Sequence, residues 1–255
     1  MKKISFLKKI KYFGLCKVYF IARNLVFHSF LFLQDLFSPL LTSRVLSKKI
    51  LEYFQADDGH NLSINKTFLG FGLIHYSLIR NTKPKRVLCI GSRFGFIPSI
   101  CAFACKDNGE GIVDFVDAGF DKDHPKSWTG VGFWKKIHPE KHFSFSGLNF
   151  WINNYIMLSQ EFMKKYPKRK YEYIYIDADH SYEGVKKDYQ LFWPKLTKGG
   201  FMVFHDVAMK GRDSDTGQVY GVWKFWQELK NSNKITFPFP KDSGLGVLQK
   251  NSFLN

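Results

Sequence analysis

The sequence predicts an α/β chain, a mostly parallel sheet covered by helices and preceded by a basic helical extension. Three stretches carry that expectation: residues 171–207 read as strand, helix and strand, residues 85–95 as a strand running into a glycine turn, and residues 111–117 as a strand ending in an acid. Over 171–176 β-branched and aromatic residues dominate, and 201–204 is an unbroken apolar run. Strands of a covered parallel sheet look like this. A strand, crossover helix and parallel strand connect with right-handed chirality, so Asp177-Ala178-Asp179-His180 and His205-Asp206 both fall at the carboxyl edge of the sheet. Ligands of open α/β sheets bind at that edge.

Composition sets the frame. With 255 residues, 45% hydrophobic and 24% charged, the chain holds one sizeable core plus an appendage. The boundary is expected at residue 58, with an extension over 1–58 and the main domain over 59–255. Cys16, Cys89, Cys101 and Cys105 form no Cys-x-x-Cys pair, which points to reduced thiols and a cytoplasmic setting. Residues 1–50 carry eight Lys and two Arg against one acidic residue, so +9 of the net +16 sits there. The expected partner of the extension is an anionic surface, either membrane or nucleic acid.

Within residues 1–37, Lys17, Asn24, His28 and Asp35 share one helical face opposite a wide Phe/Leu/Val surface. Between Arg23 and Asp35 lie only 11 residues free of formal charge, too few for the roughly 20 of a membrane span. Residues 1–40 are therefore expected either to lie in the inner face of a membrane as a peripheral helix or to pack on the domain or a second subunit. A helix over 67–80 leads to the first strand. After it come the glycine turn and a small-residue helix over 98–105, and the acid Asp117 about 18 residues on, the spacing at which a nucleotide site sets a carboxylate on ribose. Residues 121–150, rich in Trp and His, are longer than a simple connection and read as a lid or binding loop, with Trp128 and Trp134 able to stack on a sugar. Residues 154–166 and 220–230 read as helices. Between them, Ser181 is expected to cap the crossover helix and Gly199-Gly200 to end it in a turn. Residues 235–239 and 245–249 read as an antiparallel finish to the sheet.

From residue 85 to 248 the chain resembles the class I S-adenosylmethionine-dependent methyltransferases, and IDADHSYEGVKKD followed by GGFMVFHDV resembles their metal-assisted O-methyltransferase branch, family 24. The resemblance implies a Rossmann-like seven-stranded sheet with its last strand antiparallel. It implies S-adenosylmethionine bound by Gly91, Ser92, Gly95, Asp117 and Ser159, a divalent cation, expected to be Mg2+, held by Asp177, His205 and Asp206, and His180 as the base. Cys89 stands where the family has an acid and Arg93 where it has a middle glycine. The residue chemistry agrees, since ends of adjacent strands about 4.8 Å apart let Asp177 and Asp206 converge on one cation. The same residues also read as a helix cap and a solvated strand end, and Asp179 and Glu183 are left without a role. His60, His75, His124, His138 and His142 read as packing or surface residues.

The expected activity is methylation of an oxygen on a saccharide or other small hydroxylated acceptor. A non-catalytic methyltransferase-like membrane or subunit scaffold is the alternative, and a homo-oligomer is a separate expectation for the chain's partners. RNA methylation is disfavoured by the lack of an Asn-Pro-Pro-aromatic motif and by the concentration of the charge excess in the extension.

Overall fold

The computed structural model describes residues 44–55, 69–119, 132–213, 217–230, 233–238 and 243–251. The helix expected within 1–37, the approach over 56–60, Cys16, Trp128 and His124 lie outside them. The chain divides into two compact units, residues 1–47 and 48–255. Ile50, Leu51 and Phe54, at the end of α1 (Arg44–Tyr53) and just beyond it, are thus core residues of the second unit, although they precede the expected boundary at 58.

Seven strands form one sheet in the order β3-β2-β1-β4-β5-β7-β6, comprising β1 (Arg86–Ile90), β2 (Ile112–Asp117), β3 (Ile152–Ile156), β4 (Tyr171–Ile176), β5 (Leu196–His205), β6 (Lys234–Phe237) and β7 (Leu245–Gln249). The pairs β1–β2, β1–β4, β2–β3 and β4–β5 are parallel, and β7 runs antiparallel to both β5 and β6. The expected mostly parallel sheet with an antiparallel finish is present, and the short helices α4 (Phe133–Lys136) and α5 (Pro139–His142) lie in the connection from β2 to β3.

Period-two alternation divides the strands between two faces. Leu88, Ile90, Ile174, Ile176, Met202, Phe204 and Leu248 point to one side, into a cluster with Phe162 and Met163 of α6 (Ser159–Lys165), Val185 of α7 (Tyr182–Phe192), and Phe225 and Trp226 of α8 (Val222–Glu228). On the other side Cys89 lies 3.9 Å, sulfur to sulfur, from Cys101 of α3 (Phe96–Asn108), and Tyr173 meets His75 of α2 (Phe71–Thr82). Cys89, Cys101 and Cys105 are free and buried, as expected. Among the described residues no helix is long and apolar enough to cross a membrane.

Two elements differ from expectation. Residues 152–156 form an edge strand where a helix was expected to begin near 154. The run Ile-Asn-Asn-Tyr-Ile has no apolar block, and its Asn153 serves the interior by donating to buried Asp114 at 3.0 Å. Gly199 and Gly200 belong to β5 instead of a turn: the N–H of Gly199 donates to Lys250 and that of Lys250 to Gly200. A 3-10 turn over Trp193–Lys195, with Pro194 inside it, closes α7 in their place.

Candidate active site

Strand order reverses between β1 and β4, because the chain leaves β1 for β2 and β3 and then returns to lay β4 on its other side. A sheet of this kind opens a ligand crevice at that point. Ile90 and Ile176 pair across it, and Gly91 and Asp177 follow them. The Asp177 N–H donates to the Ile90 carbonyl at 2.8 Å. Gly91 has φ of +75°, and a Cβ there would lie 2.0 Å from the Asp177 carbonyl oxygen. Only glycine fits so close a passage of two chains.

The turn after Gly91 is self-braced. Ser92 Oγ accepts the Gly95 N–H at 3.1 Å, and Trp134 Nε1 donates to the Ser92 carbonyl at 3.0 Å. Gly95, at φ +84°, opens the 13-residue α3, whose first N–H groups and dipole face the crevice edge. Arg93 is exposed, has no left-handed φ, and rests its guanidinium 5.4 Å from the Phe94 ring. A side chain at the family's middle-glycine position is therefore tolerated here. Cys89 turns into the core instead of the crevice. At the end of β2, Asp117 accepts N–H groups from Ser92 at 3.2 Å and Gly119 at 2.7 Å. Burial pushes its carboxyl up to about 6, against the two N–H bonds that pull it down.

Across the crevice, four side chains from two strand ends converge. His180 Nε2 lies 3.2 Å from Asp177 Oδ1, and its Nδ1 lies 3.1 Å from Asp206 Oδ2. His205 Nδ1 is 3.0 Å from Asp206 Oδ1 and 3.6 Å from Asp177 Oδ1. Asp177, His180 and Asp206 each offer a ligand atom within 4.8 Å of the others, a spacing one metal ion can span. Burial pulls the His180 imidazole down, but Asp206 and then Asp177 outweigh it and hold the group above 6.5. For Asp206 burial works upward, and His205 and His180 outweigh it to hold the carboxyl below 3.8. Asp206 also adopts a left-handed backbone, φ +60°, a conformation Asp tolerates better than most residues and which turns the chain out of β5.

Other expected residues are placed differently. Ser159 opens α6, and its hydroxyl donates at 2.7 Å to buried Asp188 of α7, whose carboxyl burial pushes up to about 6. Trp134 is 5% exposed and stacks at 5.4 Å on Phe143, so its ring is core and not a sugar platform. His75 and His142 are buried packing residues, as expected, while Asp179 accepts the Ser181 N–H at 2.9 Å beside the Ser181 cap of α7.

Two tyrosines belong to the site without any sequence signal of their own. Tyr175, two residues before Asp177 on the same face of β4, donates to Asp177 Oδ2 at 2.9 Å. Tyr220 stacks on His180 at 5.6 Å with 22° between the rings, donates to Asp213 at 3.0 Å, and is held close by the Gly221 N–H bond to the His180 carbonyl. Only the fold brings Tyr220 back from 40 residues downstream. Tyr220→Ala is expected to lower kcat by about tenfold through a loosened His180 ring, with Tyr220→Phe near wild type. Steady-state kinetics on both variants checks this.

Known proteins share this fold. Residues 88–207 match the methyltransferase domain of family 24. The fold is similar to that of the O-methyltransferase TomG of Streptomyces achromogenes, involved in tomaymycin synthesis and solved with SAM, at TM-score 0.54 and 14% identity over 86% of this chain and 96% of that one. It is likewise similar to an O-methyltransferase of Bacillus cereus solved with SAH, at TM-score 0.52 and 14% identity over the same shares. An uncharacterized protein of Sinorhizobium fredii is 22% identical over 202 residues, 74% of this chain, and the chain spans a fifth of that relative's length. With a glycine turn and strand-end acids at the switch point of a seven-stranded sheet, the chain shares the fold of these O-methyltransferases, and its residues 88–207 match the methyltransferase domain of family 24.

Proposed function

We propose that the chain methylates an oxygen of a saccharide or other small hydroxylated acceptor, assisted by a divalent cation. The observation that carries this reading is the meeting of Gly91 with Asp177: the cofactor turn and the His/Asp cluster share one crevice, which a transfer between them requires. S-adenosylmethionine supplies an electrophilic sulfonium methyl. The residues fit it: the missing Cβ of Gly91 leaves room for a close backbone approach, and Asp117 keeps acceptor capacity for ribose hydroxyls beside the N-terminus of α3. Leu158, 37% exposed after β3, offers apolar surface for a purine. A divalent cation, for which Asp177 and Asp206 provide the carboxylates, supplies Lewis acidity that makes an acceptor hydroxyl easier to ionise.

His180 would take the proton that an acceptor hydroxyl gives up on receiving a methyl group. Asp177 and Asp206 stabilise the resulting imidazolium, and Tyr175 fixes the Asp177 carboxylate. Tyr220, stacked on the base, offers an aromatic surface in the role expected of the loop tryptophans. Calorimetry with S-adenosylmethionine, followed by transfer of labelled methyl to a panel of sugars and catechols with and without chelator, tests the reading. Absence of cofactor binding would instead favour the non-catalytic scaffold.

The charge of residues 1–50 supports an anionic membrane surface as the partner of the extension. Flotation with vesicles containing anionic lipid is expected to carry the full chain upward at low salt and to lose it on deletion of residues 1–40. Equal flotation of both forms would exclude this role.

A further inference from the structure

The cluster holds as many imidazoles as carboxylates, and this bears on which ion it takes. Mg2+ demands oxygen ligands in a tight octahedron, whereas imidazole suits first-row transition ions. His205 is 7% exposed, meets the Phe71 ring edge-on at 5.9 Å, and presents Nδ1 to both carboxylates, at 3.0 Å and 3.6 Å. The ring is thus fixed by packing with a nitrogen within reach of both carboxylates. An acid at 205 would give the cluster a third carboxylate. With imidazole there, the two carboxylates balance a divalent charge and the third donor is nitrogen.

We infer that this centre is built for a divalent first-row transition ion instead of Mg2+, with His205 Nδ1 as the nitrogen donor beside Asp177 and Asp206. The inference rests on the metal-assisted reading above and leaves His180 as the base. Tighter binding of Co2+ than of Mg2+ does not by itself identify a nitrogen ligand, so the deciding quantities are the preference ratio and direct evidence of bound nitrogen.

The full chain, freed of metal by dialysis against chelator, is titrated calorimetrically with MgCl2 and CoCl2, and its Mn2+ complex is examined by pulsed electron paramagnetic resonance for coupling to 14N. Wild type is expected to bind Co2+ about 100-fold more tightly than Mg2+ and to show a directly bound nitrogen. In His205→Asp the ratio is expected to narrow at least tenfold and the coupling to vanish, with S-adenosylmethionine affinity measured in parallel as the check on folding. Mg2+ binding with no nitrogen coupling in wild type, which needs no variant, would overturn the inference while leaving metal assistance intact. So would a ratio or coupling unchanged in His205→Asp. Failure of every ion to bind, with cofactor binding retained, would sink metal assistance itself and this inference with it.

Discussion

Asp206→Asn is expected to lower kcat by about 10²–10³-fold with cofactor affinity nearly unchanged, the size of loss seen when a group that stabilises developing charge is removed. Asp206 acts at two places. Its Oδ1 lies 3.0 Å from His205 and its Oδ2 3.1 Å from His180, so one carboxylate serves both the cation site and the base. Asparagine keeps the shape and tolerates the left-handed φ of +60°, which separates lost charge from lost fold. The pH dependence gives an independent readout. His180 accepts a proton only when neutral, and Asp206 and Asp177 hold its pKa up while no cation shares their charge, so activity is expected to fall as dropping pH protonates the ring. Removing the Asp206 charge takes away one of the upward pulls on His180 and moves that limb to lower pH. The stability linkage has the opposite sense. The stabilisation from the His180 ion pairs is fully present below 6.5 and is lost as pH rises through the raised value. The same substitution, Asp206→Asn, should flatten that part of a Tm-against-pH curve. An unchanged kcat, or an acid limb that stays in place, would remove Asp206 from the mechanism.

How far the sequence foretold this site depends on where each residue's signal resides. Asp177, His180, His205 and Asp206 follow two strongly patterned parallel strands, so alternation and crossover chirality suffice to place them at one edge. Gly91 and Asp117 were legible for the same reason. Edge strand β3 was not, because Asn153 and Asn154 occupy its middle and a strand with a single partner needs no apolar run. Trp134 illustrates another limit: a tryptophan in a polar stretch reads as a binding surface, yet its ring fills a cluster with Phe115, Phe133 and Phe143, and only its indole N–H serves the site. The resemblance gives Ser159 to the cofactor, but no local pattern shows that Asp188 holds its hydroxyl. Tyr175 and Tyr220 depend on side-chain direction and on the path of residues 207–221, neither of which periodicity encodes.

Gly91→Ala is expected to be the most damaging single-methyl change at the site. Two effects add. At φ +75° an L-residue costs about 1–3 kcal/mol. The new methyl would also stand 2.0 Å from the Asp177 carbonyl oxygen, 2.6 Å from its carbon and 2.8 Å from the Ala178 Cα, all backbone atoms that no rotamer change can move aside. Either β1 or β4 must shift at its carboxyl end. That shift would stretch the 2.8 Å bond from Asp177 N–H to Ile90, carry the Asp177 carboxylate away from His180 and His205, and narrow the cofactor's path past the turn. Equilibrium urea unfolding should show a loss of about 2–4 kcal/mol, and calorimetry a fall in S-adenosylmethionine affinity of at least tenfold. Gly109→Ala is the matched control, since that glycine also has φ +70° but nothing within 4 Å of its would-be Cβ. It should carry the conformational penalty alone and leave cofactor affinity unchanged. If both variants lose the same stability and both bind cofactor like wild type, the close passage of β1 and β4 is not what shapes the crevice. A selective loss in Gly91→Ala ties cofactor binding and the His/Asp cluster to a single backbone contact, which makes methyl donor and base parts of one site.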